Sequence, residues 1–332
     1  MSPTRIIHLI ALALTLASLG AHAQFPERDL QGVIMWGAGG ATDNVARAIT
    51  PLVEPILGAE IVLVNRPGGT GAISTNFVNA QPADGYTLLY GAENPQLHKI
   101  LGLSQIDYAD FYPVNILARG VAVIVANNDT PWESFEELVA DAQSRPGEIK
   151  MGATGPGGLP HVVGAMLRTV TEFEVTAVPF DGEGPGLTAL QGGHVDFMPA
   201  GLSAAGELIR AERVRVLAVV NTEELPSLPG VAPITAAFPD FERYLPWGPF
   251  YGIFVKNGTP EEARDTLVAA FRTAASDPGF VALMEGNGNI MMNIAGAEAV
   301  EFLAQWQSVT SWILHEAGAS KASPEDFDIP RP

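Results

Sequence analysis

The chain has 332 residues, no cysteine and a formal net charge of −19 at pH 7. The lack of cysteine excludes a disulfide framework, and the acidic balance leaves no basic face for nucleic acid. A hydrophobic content of 47% indicates a globular protein, and the length suits two lobes that each have a core.

Residues 1–23 have the pattern of a secretory signal peptide. Arg5 supplies a positive charge, residues 6–20 form an apolar stretch, and the small residues Ala21 and Ala23 occupy the cleavage positions. The stretch is shorter than the roughly 20 apolar residues that a membrane span needs. We expect a mature protein that begins near Gln24 and functions outside the cytoplasm.

From Gln24 onward, strand and helix patterns alternate, which predicts an α/β architecture with right-handed crossovers. Several predicted strands are continuous apolar runs, as buried and mostly parallel sheets flanked by helices require. The predicted strands are Val33–Trp36, Ile61–Val64, Thr87–Tyr90, Val121–Ala126, Ile149–Gly152, Val175–Phe180, Val195–Met198, Val214–Val220, Tyr251–Val255 and Ile290–Ile294.

Helices are predicted between these strands from apolar side chains at three- and four-residue spacing. The clearest apolar stripes are Val45, Ile49 and Val53; Val163, Met166, Leu167 and Val170; and Ala299, Phe302, Leu303, Trp306, Val309 and Ile313.

Two proline-containing segments predict where the chain crosses between lobes. Residues 126–131 follow an apolar strand, and residues 245–249 precede another. Lobe one is then residues 24–126 plus 248–332, and lobe two is residues 127–247. Two crossing strands would join the lobes, an arrangement suited to hinge closure around a ligand.

A glycine-rich turn, WGAGGATD at residues 36–43, follows the first predicted strand and begins a helix. The first N–H groups of a helix have no acceptor within it and favour an anion. This predicts a carboxylate held by the N–H groups of Gly40, Ala41 and Thr42. A tight turn with a helix cap at Thr42 or Asp43 explains the sequence equally well. Trp36 either stacks on a ligand or seals the turn.

A second glycine turn, NRPGGTG at residues 65–71, is also followed by a predicted helix. Its arginine, Arg66, either pairs with a ligand or forms a surface ion pair. Two further turns, at residues 152–161 and 179–185, lie between strand and helix in the predicted second lobe. We expect Thr154 to offer a hydroxyl and His161 to cap or pack its helix start.

Five acids lie near predicted strand ends and could include a general acid and base, although helix caps and solvated loops explain most such acids. They are Asp43, Glu93, Asp181, Glu183 and Asp196. The sequence lacks H-E-x-x-H, G-x-S-x-G and the phosphate-binding G-x-x-x-x-G-K-[ST] pattern. Its histidines lack the spacing of zinc ligands. We expect no catalysis, metal or cofactor.

Taken together, these motifs resemble the tripartite tricarboxylate transporter substrate-binding proteins, also called the Bug or TctC family. The resemblance rests on WGAGGATDNVAR, NRPGGTGAIS, PADGYTLLYG, the glycine loop before His161, VPFDGEGP, LQGGHVDF and VRVLAVV. Single motifs are weakly specific. Their order and spacing over essentially the whole mature chain are highly specific.

The resemblance implies a periplasmic solute-binding protein with a two-lobe periplasmic-binding-protein-like fold. It implies that backbone groups of the first two loops hold a small organic carboxylate in the cleft, often with ordered water, while lobe two faces the variable part of the ligand. It also implies delivery to a transporter of two integral membrane subunits. Including Trp36 from the first turn, the expected ligand-binding residues are Trp36, Gly39, Gly40, Ala41, Thr42, Asp43, Gly69, Thr70, Gly71, Ala72, Thr154, Gly157, Gly158, Leu159, Phe180 and Asp181.

The chain departs from the family pattern at two loops. Gly158 stands where many members have serine, and Leu159-Pro160 follows, which makes the wall more apolar and argues against a small, highly polar, citrate-like ligand. The second turn has Thr70 and no second Gly-Gly pair, which alters how the carboxylate is reached.

Two alternatives remain open. The same fold can present its ligand to a sensor kinase, because the sequence does not reveal the docking surface. An exported hydrolase or isomerase would use Asp43 or Asp181. The sequence leaves the identity of the carboxylate open, and a monomer is the simplest oligomeric state.

Overall fold

Two mixed β-sheets flanked by helices organise the fold in the computed structural model, which describes residues 25–180 and 182–332. The expected signal peptide and the expected site residue Asp181 lie outside these described residues. The alternation of strand and helix confirms the predicted α/β class. No helix in the described part of the chain combines the length and the apolar character that crossing a membrane requires.

The first sheet has six strands. They are β1 (Leu30–Ile34), β2 (Ile61–Asn65), β3 (Thr87–Ala92), β4 (Phe111–Arg119), β10 (Phe250–Lys256) and β11 (Ile290–Ile294), in the spatial order β2-β1-β3-β10-β4-β11. Strand β1 is parallel to β2 and β3, whereas β10 is antiparallel to β3 and β4, and β11 is antiparallel to β4. Strands β1 to β4 therefore run in one direction and β10 and β11 in the other, so the sheet is mixed and not mostly parallel as predicted.

The second sheet has five strands. They are β5 (Ala122–Ala126), β6 (Lys150–Thr154), β7 (Thr176–Phe180), β8 (Phe197–Gly201) and β9 (Arg215–Val220), in the spatial order β7-β6-β8-β5-β9. Strand β6 is parallel to β7 and β8, and β5 is antiparallel to both β8 and β9. The loops that follow β6, β7 and β8 therefore leave the sheet at the same edge.

Ten α-helices flank the sheets in the described residues. They are α1 (Ala41–Leu57), α2 (Ala72–Asn79), α3 (Phe135–Ser144), α4 (Leu159–Thr171), α5 (Glu183–Gln191), α6 (Leu202–Arg210), α7 (Ile234–Ala237), α8 (Glu261–Ala275), α9 (Pro278–Gly286) and α10 (Gly296–Glu316). The predicted stripe on α1 is buried at Val45, Ile49 and Val53. Spacing of apolar residues thus identified the buried face correctly.

Strand β4 was missed by the sequence analysis because Pro113 and Asn115 interrupt its apolar pattern. It nevertheless lies inside the first sheet, between β10 and β11. The register with β10 shifts between Ile253 and Phe254, opposite Pro113. Such an irregularity accommodates a proline, which has no N–H to donate to a neighbouring strand.

The first crossing between the sheets lies earlier than predicted. Residues 122–126 were assigned to lobe one, but as β5 they pair with β8 and β9 in the second sheet. The chain therefore leaves the first sheet at Gly120, directly after β4, and not at residue 126. The apolar run was recognised as a strand, but its pattern does not reveal which sheet the strand joins.

The two crossing segments contact each other directly. The N–H of Gly120 donates to the carbonyl of Pro249 over 2.7 Å. A Cβ at Gly248 would lie 2.0 Å from the carbonyl oxygen of Gly120, so only glycine permits this approach. The indole N–H of Trp306 in α10 donates to the carbonyl of Gly248 over 2.9 Å. Helix α10 also contacts α4 and β4, so it braces both sheets at the crossing.

Candidate functional site

A cavity of about 760 Å³ lies between the two sheets and is lined by loops from both. The loops after β1 and β3 reach it from the first sheet, and those after β6, β7 and β8 reach it from the second. Ligands of open α/β sheets bind beyond the carboxyl ends of strands, and the cavity occupies that position on both sheets.

Helix α1 begins at the cavity with unpaired amides. Its N-cap, Gly40, has no side chain to cap the helix, and its N–H makes a long bond of 3.3 Å to Gly37. The N–H groups of Ala41, Thr42 and Asp43 have no acceptor among the described residues. Ala41 and Thr42 line the cavity. A 17-residue helix therefore starts at this wall with free donors, which favours an anion.

Asp43 supports this turn from behind. Its carboxylate accepts the N–H of Gly39 over 2.8 Å, the amide of Asn65 over 2.8 Å and the guanidinium of Arg47 over 2.9 Å. The amide of Asn65 also donates to the carbonyl of Trp36 over 2.9 Å. Burial raises the pKa of Asp43, but these hydrogen bonds, with that from Arg47 the largest, outweigh it and hold the pKa below its usual range.

The structure thus places Asp43, a predicted ligand contact, behind the cavity lining. The residue is 2% exposed and does not line the cavity, because its carboxylate oxygens are occupied by the groups that shape the turn. The other first-turn residues of the prediction do line it. They are Trp36, Gly39, Gly40, Ala41 and Thr42.

The second glycine turn differs from its prediction. Gly69, Thr70, Gly71 and Ala72 lie outside the cavity. The N–H groups of Gly71 and Ala72 donate within the turn, to the carbonyls of Gly68 and Gly69. The carbonyl of Thr70 bonds to His98 over 2.9 Å, whereas the N–H groups of Gly69 and Thr70 have no acceptor among the described residues. The sequence repeats the glycine pattern, but it does not reveal these internal partners.

From lobe two, the loop between β6 and α4 lines the cavity with Thr154, Gly158 and Leu159. The hydroxyl of Thr154 is buried without a hydrogen-bond partner in the described residues. A Cβ at Gly158 would lie 2.1 Å from that hydroxyl, so glycine is needed beside it. The N–H of Leu159 likewise has no acceptor among the described residues. The Thr154 hydroxyl and the Leu159 N–H are therefore two donors without acceptors in the residues that line the cavity from lobe two.

Gly157 and Phe180 do not line the cavity. The carbonyl of Gly157 accepts the amide of Asn94 over 2.7 Å, which joins the lobes beside the cavity. Its N–H donates to Nδ1 of His161 over 3.0 Å, so His161 supports the loop, as expected for a residue at a helix start. Burial lowers the pKa of His161, which favours the neutral ring that this acceptor nitrogen requires. Phe180 packs beside the second-lobe core.

Two acids noted near strand ends come together at the cavity, although neither was predicted as a ligand contact. Glu93 follows β3 in the first lobe, and Glu183 begins α5 in the second. Burial raises the pKa of Glu93 to about 8, and the charge of Glu183 acts in the same direction. Burial also raises the pKa of Glu183, although its carboxyl accepts the N–H of Gly201 over 2.8 Å.

Among the other described acids of that group, Asp196 lies elsewhere. Asp196 accepts the N–H of Lys150 over 2.7 Å at the start of β6, away from the cavity. Near the two glutamates, the hydroxyl of Tyr251 lies 3.3 Å from that of Ser203, which links the lobes. Both line the cavity, and the sequence analysis missed them because Tyr251 is an apolar-run residue and Ser203 lies within a helix.

The family model of the tripartite tricarboxylate transporter family receptor, TctC, matches residues 45–318. The chain belongs to this family. TctC receptors bind solutes and work with tripartite transporters, so the resemblance seen in the motifs is confirmed.

Curated relatives match nearly the full length of this TctC chain. BugT of Bordetella pertussis (strain Tohama I) is 28% identical over 329 residues, which covers 96% of this chain and 99% of BugT. A protein from the tcbD-tcbE intergenic region of Pseudomonas sp. (strain P51) is 31% identical over 291 residues, covering 86% of this chain and 85% of that protein.

Solved structures confirm the two-lobe periplasmic-binding-protein fold of this TctC chain. The periplasmic binding protein BugD has a TM-score of 0.82 and 26% identity, covering 90% of this chain and 100% of BugD. R. palustris Rpa4515 with adipate has a TM-score of 0.82 and 26% identity, covering 89% of this chain and 99% of Rpa4515. MatC from Rhodopseudomonas palustris with bound malate has a TM-score of 0.76 and 26% identity, covering 86% of this chain and 100% of MatC.

Proposed function

We propose that this chain is a periplasmic solute-binding protein that captures a small organic carboxylate between its lobes and delivers it to a tripartite tricarboxylate-type transporter. The observation that carries the proposal is the set of free amides at the start of α1, in a cavity that both lobes line. The similar structures solved with adipate and malate support a carboxylate as the ligand class.

In this proposal, the carboxylate binds at the amides of Ala41 and Thr42, beside Gly40 and Trp36. Thr154, Gly158 and Leu159 contact the ligand from lobe two. Asp43 fixes the turn and makes no direct contact with the ligand. The second turn, Gly69–Ala72, lies outside the cavity lining and contributes through its packing within the first lobe.

The energetics are sufficient without a basic side chain. A hydrogen bond to a charged group contributes roughly 1.5–3 kcal/mol. A micromolar ligand needs about 8 kcal/mol. The α1 amides, the Leu159 amide and the Thr154 hydroxyl would together supply that after ordering costs, in a cleft that closes. The acidic surface has little influence there, because charges are screened over about 8 Å at physiological salt.

The proposal extends to processing and partners. The signal peptide at residues 1–23 is cleaved, the mature protein acts as a monomer in the periplasm, and the receiving transporter has two integral membrane subunits. The protein performs no reaction on its ligand. Size-exclusion chromatography of the purified mature protein tests whether it is a monomer. Recovery of a chemically altered ligand after incubation with the protein would contradict the absence of catalysis.

A thermal-shift screen of mono-, di- and tricarboxylates, including aromatic acids, tests the proposed ligand class. Mass spectrometry of any copurified compound provides an independent identification. We expect stabilisation by at least one carboxylate, and no stabilisation by its amide or ester. Stabilisation by uncharged compounds alone would contradict the proposal.

A further inference from the structure

One wall of the cavity is rich in hydrogen-bond acceptors that lack donors. Three residues form this wall, which we call the acceptor cluster: Glu93 after β3, Glu183 at the start of α5, and Asn289 before β11. Glu93 and Asn289 belong to the first lobe and Glu183 to the second. The cluster is therefore assembled only when the lobes face each other.

Asn289 supplies an unpartnered acceptor. The residue is 5% exposed, and its side-chain nitrogen donates to the carbonyl of Met284 over 3.1 Å. That bond fixes the orientation of the amide, since the nitrogen must face Met284. The amide oxygen then remains buried without a donor in the described residues. A buried acceptor without a donor is costly, so this oxygen indicates a donor that arrives with the ligand.

Glu93 adds a second acceptor in the same wall. It is also 5% exposed, and its carboxyl accepts a 3.2 Å bond from the neighbouring side chain of Asn94 and backbone hydrogen bonds at Glu93 and Phe250, but no bond from a basic side chain. Its titratable neighbours are Glu183, Tyr108 and Tyr251, and none of them carries a positive charge. The Tyr108 hydroxyl donates to the carbonyl of Ala92 and is not free for Glu93.

Glu183 faces this wall from the other lobe. One of its oxygens accepts the N–H of Gly201, which places the carboxyl at the start of α6. Its negative charge opposes ionisation of Glu93, so the two carboxyls are electrostatically coupled across the cleft. A cation between them would remove this repulsion.

No fixed cation offsets the two acids. Arg210 is the single basic side chain among the described residues that line the cavity. It is exposed and lies 3.6 Å from Glu207, with which it pairs at the rim. A second carboxylate on the ligand would therefore find no buried basic partner at this wall.

We infer that the acceptor cluster binds an ammonium group, so that the ligand is an amino carboxylate rather than a dicarboxylate. This inference rests on the proposed function, because the carboxylate end of the ligand is held by the amides of α1. The ammonium has three donors, and Glu93, Glu183 and Asn289 offer three acceptors that lie in one cavity. The adipate and malate of the similar structures have two carboxylates and would not satisfy this wall.

Calorimetry with matched ligand pairs tests the inference on ligand-free protein. Each pair contains a dicarboxylate and the amino acid in which an ammonium replaces one carboxylate, such as adipate with 5-aminopentanoate and glutarate with 4-aminobutanoate. The series also includes α-amino acids with their deaminated counterparts. We expect at least one amino carboxylate to bind about tenfold or more tightly than its partner.

The outcomes separate this inference from the proposed function. If dicarboxylates or simple monocarboxylates bind at least as tightly as every matched amino acid, the inference is wrong and the carboxylate receptor remains. If no carboxylate binds at all, the proposed function is wrong and the inference fails with it.

Two isosteric variants test the named side chains. Glu93→Gln and Glu183→Gln retain an amide oxygen as acceptor but cannot ionise beside a bound cation. We expect each to reduce the preference for the amino carboxylate over its dicarboxylate by about tenfold or more. The exposed Glu285, outside the cavity, provides the control Glu285→Gln, which should keep the wild-type preference. Unchanged preference in both cavity variants, each shown by circular dichroism to be folded, would overturn the inference.

Discussion

Asp43 accepts hydrogen bonds from Gly39, Asn65 and Arg47, while the amides of Ala41 and Thr42 remain free. The carboxylate of Asp43 thus accepts the hydrogen bonds of the groups that shape the turn, and the amides at the helix start remain available to a ligand. Sequence analysis identified the turn and named Asp43 as a possible cap. It could not distinguish capping from ligand contact, because both use the same residue types at the same position.

Removal of one free amide should weaken ligand binding without disturbing the helix. Ala41 is the first residue of α1, where proline is favoured, and the preceding Gly40 has an extended backbone that tolerates it. We expect Ala41→Pro to reduce affinity roughly 10-fold or more. Ala41→Gly, which keeps the N–H, is the control. Equal affinity of the two variants in calorimetry would show that this amide does not bind the ligand.

Loss of the Asp43 charge should destabilise the turn. We expect Asp43→Asn to lower the free energy of unfolding by about 1.5–3 kcal/mol, because bonds to Arg47, Gly39 and Asn65 lose their charge assistance. Since the folded pKa is lowered, this contribution is present above the usual pKa of 3.8 and is lost as the pH falls below it. Urea unfolding measures it, with the exposed Asp265→Asn as control. A change no larger than the control's would contradict this role.

At the level of elements, apolar periodicity located three of the helices and ten of the strands, because burial imposes a pattern on each element by itself. It missed β4, whose Pro113 and Asn115 are accommodated by the irregular register with β10. It also placed the first crossing at residue 126 instead of Gly120. Both the β4 strand and the position of the crossing depend on pairing between strands that are distant in the chain, which no local sequence pattern predicts.

The contact between the crossing segments predicts a sensitive glycine. A Cβ at Gly248 would lie 2.0 Å from the carbonyl oxygen of Gly120, so Gly248→Ala must push the segments apart. We expect a loss of about 1–3 kcal/mol in the free energy of unfolding. Gly286→Ala is the matched control, because nothing lies within 4 Å of its Cβ position at the end of α9. Equal stability of the two variants would contradict the close approach.

At the level of the whole molecule, the cavity is a property of two lobes rather than of any single motif. Sequence analysis predicted the α1 turn and the Thr154 loop as parts of one site, with the family resemblance supplying their relation. It did not predict that Glu93 and Glu183, 90 residues apart in the chain, share a wall. Their meeting depends on how the second sheet sits against the first, which the spacing of residues does not encode.

The buried Glu93 should make stability depend on pH. Its pKa rises from 4.5 to about 8 on folding, because burial disfavours the charged form. A raised folded pKa gives stability that is present below the unfolded pKa and is lost as the pH rises through the folded pKa. Ligand-free wild type should therefore lose stability relative to Glu93→Gln between pH 4.5 and about 8. A constant difference between their unfolding temperatures across this range would contradict the buried, uncompensated carboxyl.

The central claim is that backbone amides at the start of α1 hold a carboxylate between the lobes. A crystal structure of the protein with the carboxylate identified by screening tests it most directly. The account predicts a carboxylate oxygen about 2.7–3.2 Å from the amide nitrogens of Ala41 or Thr42. A carboxylate bound at a different wall of the cavity, with these two amides facing water or another protein group, would contradict it.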